Sequence, residues 1–201
     1  HYVVAGRPIA YAFPADRNRG QPADDSIHAD IAEAFVVGSQ RTQAQDIEFP
    51  FSQLVEVAVR ALSPGINDPF TAVRCVDHLG SAFFKLAGRR MAPAVLHDDA
   101  GDPRLEVPAL TYASLLRAVF DPIRQNGCDS APVAIRMLEV LAVIAEATVR
   151  PEDRDAVRTH AHRIAGAATR SLPDRADQSD VADRLAAVER KLSDRAGAMP
   201  A

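Results

Sequence analysis

The chain has 201 residues, a formal net charge of −4 and a quarter of its residues charged, which is room for one good-sized core or two small ones. The acidic balance offers no basic patch of the kind nucleic acid requires, so nucleic acid is not an expected partner. Alanine dominates the apolar set, aromatics make up 5% and tryptophan is missing, a composition that favours closely approaching helices over a β-branched sheet core. No run approaches the ~18 consecutive apolar residues of a membrane span. The most apolar one, "MLEVLAVIAEATV", is broken by Glu139 and Glu146, and no signal peptide is visible. Cys75 and Cys128 are far apart and lack partners at metal-ligand spacing, so they read as two reduced, buried thiols, with a disulfide as the alternative.

In chain order, "HYVVAGRPIAYAF" reads as two short strands around Ala5-Gly6-Arg7-Pro8, with Ile9, Tyr11 and Phe13 alternating in the second. A chain that opens in mid-element with His1 is expected to continue upstream. A lone hairpin is marginal in water and must pair or pack with something else. After a polar loop over 14–23, a helix is expected from about Asp25 to Val37, with Ile27, Ile31, Ala34 and Phe35 on one face and Gly38 at its end. Pro50 suits the first turn of a helix running to Leu62, with core face Leu54, Val55, Ala58, Ala61 and Leu62. From Pro69 to Ala87, Ala72, Val76, Leu79, Phe83 and Leu86 recur at helical spacing, and Gly88 is a natural stop. "PAVLHDDAGDPRLEVP" reads as a hairpin carrying Leu105 and Val107.

The remainder is helical. Residues 108–125 and 131–148 form two helices, and the second, apolar nearly all round except for Arg136, Glu139 and Glu146, should be the central one. Residues 151–170 present Val157, Ala161, Ile164 and Ala168, small enough for close packing. A last helix over about 178–195 carries a narrow seam of Val181, Leu185, Val188 and Leu192, with Asp180 and Arg184 able to pair on its outer side. The fold class is mainly α, a multi-helix soluble domain with minor β-hairpins near residues 2–13 and 94–107. Its parts read as a β-hairpin segment over 1–22, a helical core over 23–176 and a C-terminal amphipathic helix over 177–201.

The stretch "ALSPGINDPFTA" joins two of these helices and holds the densest chemistry. Ser63 precedes proline and ends the first helix. Pro64-Gly65 fits the centre of a type II turn, with Gly65 at positive φ, and Asp68-Pro69 fits an N-cap and first helical residue. Ile66 is expected to plug the core between the helices. Asn67 has no such duty and, with Ser63, offers hydrogen bonds to a ligand or to a neighbouring segment. Arg41, Asp46, Arg60 and Asp68 lie close in sequence, and charged groups are seldom buried unless paired, so an Arg–Asp network knitting "RTQAQD" to the turn is expected, structural or ion-sensing. The candidate ligand-binding or structural positions are therefore Arg41, Asp46, Arg60, Ser63, Asn67 and Asp68. No catalytic residue or cofactor is assigned. His160 and His162 are two apart rather than four, which argues against a zinc helix, and Arg74, Asp77, His78 and Ser81 read as a solvated stripe.

"RTQAQD" followed by "QLVEVAVRALSPGINDPFTAVRCVDHL" resembles the signature region of the bacterial predicted membrane proteins called domain of unknown function 2254, with "VAGRPIAY" and "FDPIRQNG" as further similar pieces. Phe70 departs from the smaller polar residue expected there. The resemblance implies transmembrane helices upstream of residue 1, attachment to the bacterial cell membrane and a soluble C-terminal region, and it supplies no activity and no known small molecule. The function read from this is an interaction, assembly or gating module. A hydrolase or ligand-binding enzyme centred on Ser63, Asn67 and Asp68 is the alternative. The strand edge, the seam and the membrane context together imply a homo-oligomer.

Overall fold

The computed structural model describes residues 3–13, 25–35, 38, 41 and 46–196, with the backbone alone at 25–28, 195 and 196. The chain divides into two compact units, His1–Arg41 with Met91–Leu110 and Thr42–Arg90 with Thr111–Ala201. The fold is mainly α, with seven helices and three short strands among the described residues.

The first unit contains β1 (Tyr11–Ala12), α1 (Asp25–Glu33), β2 (Val95–His97) and β3 (Pro103–Glu106). The expected 94–107 hairpin is present as antiparallel β2 and β3, with a bulge between Leu96 and His97. Its turn is organised by Asp98, whose carboxylate accepts from the N–H groups of Ala100 and Asp102 and pairs with Arg104, while Gly101 takes φ +84°. Those bonds, the Asp102 N–H first and Arg104 next, hold the Asp98 carboxyl below its usual range. The 3–13 segment forms no hairpin of its own. β1 instead pairs antiparallel with β3, giving the order β1-β3-β2, which supplies the third strand that a marginal two-stranded ribbon needs. α1 ends at Glu33, and the expected extension through 36 and 37 lies outside the described residues.

The second unit is a six-helix assembly: α2 (Glu48–Ala61), α3 (Pro69–Ala87), α4 (Tyr112–Gly127), α5 (Ala131–Ala147), α6 (Pro151–Ser171) and α7 (Arg175–Ala196). α5 packs against α3, α4, α6 and α7, and α2 lies on α3 and α4. As its all-round apolar character demands, α5 exposes only Pro132, Val143 and Glu146. The α3 face read from sequence is intact, since Ala72, Val76, Leu79, Phe83 and Leu86 are all buried. Phe83 is the hub of an aromatic cluster, with its centroid 5.1 Å from Phe51, 5.6 Å from Tyr112 in edge geometry and 5.9 Å from Phe120. Small residues set the helix separations. A Cβ on Gly80 of α3 would stand 2.3 Å from Val140 of α5, so hydrogen at that position is what admits the valine.

The α7 seam is used within the chain. Val181, Val188 and Leu192 are fully buried, Leu185 is half-buried, and α7 packs on α5 and α6. Arg184 does not pair with Asp180. It donates to Glu139 of α5 at 3.0 Å, and Glu139 also accepts from Arg136, which reaches Asp77 of α3. This chain of charges ties α3, α5 and α7 together because α5 presents Arg136 and Glu139 one turn apart along its thin polar stripe. Further along, Lys191 meets Glu146 at 2.6 Å, and Glu189 meets Arg158 and His162 of α6 at 3.2 and 2.9 Å.

Candidate functional site

α2 begins where Asp46 accepts from the N–H groups of Glu48 and Phe49, at 3.1 and 3.2 Å. An aspartate just ahead of the first turn satisfies donors that have no partner inside the helix and complements its positive end. α2 stops in front of Pro64 as the steric rule requires, with the Ser63 hydroxyl donating back to the Arg60 carbonyl at 2.7 Å. The Ser63 carbonyl then accepts from both Ile66 and Asn67, at 3.0 and 2.9 Å, and Asp68 N–H returns to the Ala61 carbonyl at 2.8 Å. The turn is a closed knot of backbone bonds rather than an open loop.

Three expectations about this turn are corrected by it. Gly65 is not at positive φ, so Pro64-Gly65 is not the centre of a type II turn. The left-handed residue is Asn67, at φ 48°. That conformation favours glycine and, next to it, asparagine, and it gives Asn67 the structural duty the sequence did not reveal. No side-chain hydrogen bond holds Asn67 among the described residues, contrary to the expected tie to the 41–46 segment or to α2, and residues 42–45 lie outside the described residues. Ile66 does not plug the core. It is 55% exposed, and Phe70 in the first turn of α3 is 73% exposed.

Asp68 caps α3. Its carboxylate accepts from the Thr71 N–H at 3.0 Å and from the Thr71 hydroxyl at 2.5 Å, with Pro69 as the first helical residue. The Thr71 hydroxyl, then the Thr71 N–H, hold the Asp68 carboxyl below its usual range, with a smaller contribution from Arg74. The six candidate positions therefore separate. Asp46, Ser63 and Asp68 bond local backbone, Asn67 turns the chain, Arg60 is exposed on the last turn of α2, and Arg41 is exposed and belongs to the first unit. Among the described residues no ion pair joins Arg60 to Asp46 or Asp68, and the bonds described for Asp46 and Asp68 are those to the first turns of α2 and α3. Arg74, His78 and Ser81 form an exposed stripe on α3, with Asp77 half-buried beside Arg136.

A second polar group was not foreseen from the sequence. Asp153, Arg154 and His160 of α6 are all buried, at 6%, 8% and 4% exposure. Arg150 donates to Asp153 at 2.6 Å and to the Arg89 carbonyl at 2.8 Å, and Arg154 donates to the Thr148 carbonyl at 3.2 Å. Burial nevertheless raises the Asp153 carboxyl above its usual range, against the pull of Arg150. Tyr112, sealed nearby, is pushed to about 12, chiefly by burial. The His160 ring lies tilted beside Phe120, with centroids 6.4 Å apart, and stands 3.8 Å from Asp121, and burial lowers its pKa although the aspartate opposes this. Asp153, Val157, His160 and Ile164 share one helical phase, which is the signal that could have marked the two polar residues as inward-facing. The cysteines are both free and buried, and burial pushes the Cys128 thiol up to about 11.

Among the described residues no helix is long and apolar enough to cross a membrane. The family model for a predicted membrane protein, domain of unknown function 2254, matches residues 1–143. Three mycobacterial proteins are each 33% identical over 180 residues: uncharacterized protein Mb1321c of Mycobacterium bovis, and uncharacterized proteins MT1328 and Rv1290c of Mycobacterium tuberculosis. The match covers 90% of this chain and 34% of each relative, so the chain spans about a third of the length of these proteins. No solved structure matches it. The matched region takes in the capped turn and the helices on either side of it, and the chain belongs to the domain of unknown function 2254 family of predicted membrane proteins.

Proposed function

We propose that this region serves a membrane protein as a non-catalytic interaction module, with the Ser63–Phe70 turn as its contact surface. One observation carries the reading. The Ser63 hydroxyl and the Asp68 carboxylate are engaged in holding local backbone, while the two large apolar side chains of the turn are turned out to water. A hydrolytic centre needs the reverse arrangement, a nucleophile bonded to a base and oriented toward a substrate. Ser63 instead donates to a main-chain carbonyl, and His78 stands on the exposed stripe of α3. Exposed apolar residues on an ordered scaffold are a recurrent mark of contact sites.

Photo-crosslinking tests the proposal. Benzoylphenylalanine placed at position 66 or 70 of the protein in its native membranes should form adducts, to protein or to lipid, that are scarce from Lys85, an exposed control on the same helix. Equal yields at all three positions would overturn it. So would covalent labelling of Ser63 by a fluorophosphonate, which reports an activated serine.

A further inference from the structure

Resting on that reading, we infer that the partner of the turn is the interfacial layer of an anionic lipid membrane, into which Phe70 and Ile66 insert. The geometry gives the two side chains a shared, rigid platform. Asn67 in its left-handed conformation, the Asp68 cap and the return bond from Asp68 N–H to Ala61 fix the chain between them. Among the exposed large apolar residues of the described chain, Phe70 is the most exposed, at 73%. It stands in the first turn of α3, just past the turn that joins α2 to α3.

The charges around the turn fit that membrane surface. Arg74 lies one turn along the same face of α3 as Phe70, and Arg60 closes the last turn of α2, both exposed. The one carboxylate between them, Asp68, accepts from the Thr71 N–H and hydroxyl. Glu56 is the nearest exposed acid on α2, one helical turn before Arg60, and Asp77 on α3 is paired with Arg136. Asp129, two residues beyond the Gly127 that packs on Leu62, is a further exposed acid near this end. The two arginines beside the two apolar side chains therefore stand against the ionised Asp68 and Asp129, on a chain whose overall charge is −4. Basic residues next to an inserted aromatic are what a membrane surface with anionic headgroups attracts. A chain belonging to a family of predicted membrane proteins has such a surface close at hand. Two side chains and two cations bind weakly by themselves, and tethering would raise the local concentration.

The sequence supplies its own assay, because the chain contains no tryptophan. Phe70→Trp places a single reporter at the turn, and Ile66→Trp is an independent second one. Circular dichroism matching the parent chain shows that each has folded. With vesicles of phosphatidylcholine and phosphatidylglycerol, the emission of both reporters should shift to the blue and be quenched by brominated acyl chains. Arg60→Gln with Arg74→Gln, or Ile66→Ser in the Phe70→Trp background, should weaken partitioning by about tenfold, roughly what losing one buried apolar side chain or two surface cations is worth. Unshifted emission from both folded reporters at saturating lipid would overturn the inference. Emission already blue-shifted without lipid, reverting on dilution, would also overturn it by showing a second copy on the turn. That last result would leave the interaction module standing, and the crosslinking yields would then judge it separately.

Discussion

Gly80→Ala followed by Val140→Ala is the sharpest probe of how the helical unit is held together. A Cβ at position 80 would lie 2.3 Å from Val140 Cγ1, 3.1 Å from Cγ2 and 3.3 Å from its Cβ. Rotating the valine can turn its hydrogen into the place of Cγ1, but the Cβ at 3.3 Å and a methyl at the 3.1 Å position stay tight, so the contact is relieved only in part. With the valine rotamer unchanged, reaching ordinary contact at 3.4 Å requires the helices to part by about 1.1 Å (3.4 − 2.3). Forced overpacking of this kind costs about 1–3 kcal/mol, while the better helix propensity of alanine returns about 1 kcal/mol. A net loss of about 1–2 kcal/mol is expected, read as a lower urea midpoint by circular dichroism. Val140→Ala alone removes two buried methyl groups and should cost about 2 kcal/mol. In the double variant the added methyl fills the space the valine vacates, so it should be about 1–2 kcal/mol more stable than the sum of the singles. Additivity within about 0.5 kcal/mol, or a Gly80→Ala variant more stable than the parent, would refute the close approach of α3 and α5.

Other perturbations reach the turn and the buried polar group. Asp68→Ala should lower the urea midpoint, and Asp68→Asn, which keeps an acceptor for the Thr71 N–H, should recover most of the loss. An unchanged midpoint in Asp68→Ala would remove the capping role. Asn67→Gly should leave stability nearly unchanged whereas Asn67→Val costs about 1–2 kcal/mol, the usual penalty for a side chain held at positive φ; equal midpoints would mean the residue is not left-handed in solution. His160 is held below its ordinary pKa of 6.5. The unfolded chain therefore takes up a proton first, and stability is full above about pH 6.5 and falls as the pH drops toward the folded pKa. His160→Gln should flatten that slope, and an identical pH profile in urea melts would contradict the burial. Light scattering at micromolar concentration tests self-association, expected from the sequence through the strand edge and the α7 seam. With the seam packed on α5 and α6, the edge of the small sheet is the remaining contact, and a mass fixed at 21.6 kDa on concentration would exclude it.

Much of the helical architecture was legible because two independent signals agree at each element. α3 shows a clean apolar period bounded by Asp68-Pro69 and Gly88, and α5 shows apolar residues on nearly every side, which only a central helix can bury. The β1–β3 pairing was not legible, because it joins Tyr11 to Glu106 across most of the first half of the chain and no local pattern encodes such a register. Arg184 was misassigned for a related reason. Spacing within α7 offers Asp180, but Glu139 on a neighbouring helix sits where Arg136 has already gathered charge. Local rules see only partners on the same helix.

At the turn, the sequence identified the residues and misjudged their directions. Pro64, Asp68 and Pro69 were readable because each residue type has one dominant backbone use. Asn67 was not, since asparagine serves equally as a left-handed hinge and as a polar ligand, and only the dihedral distinguishes them. Ile66 was assigned to the core on hydrophobicity alone, although it falls outside both helices, where no period tells inside from outside. Phe70 carried a usable signal. It is not in phase with Ala72, Val76 and Leu79 but with Arg74, Asp77 and Ser81, and Phe84 closes the same stripe at 46% exposure. An aromatic residue in register with a polar face faces water when the helix folds. Single exposed apolar side chains are ordinary on folded chains, so it is the pairing of Phe70 with Ile66 on one turn closed by its own backbone bonds that motivates the proposed contact surface.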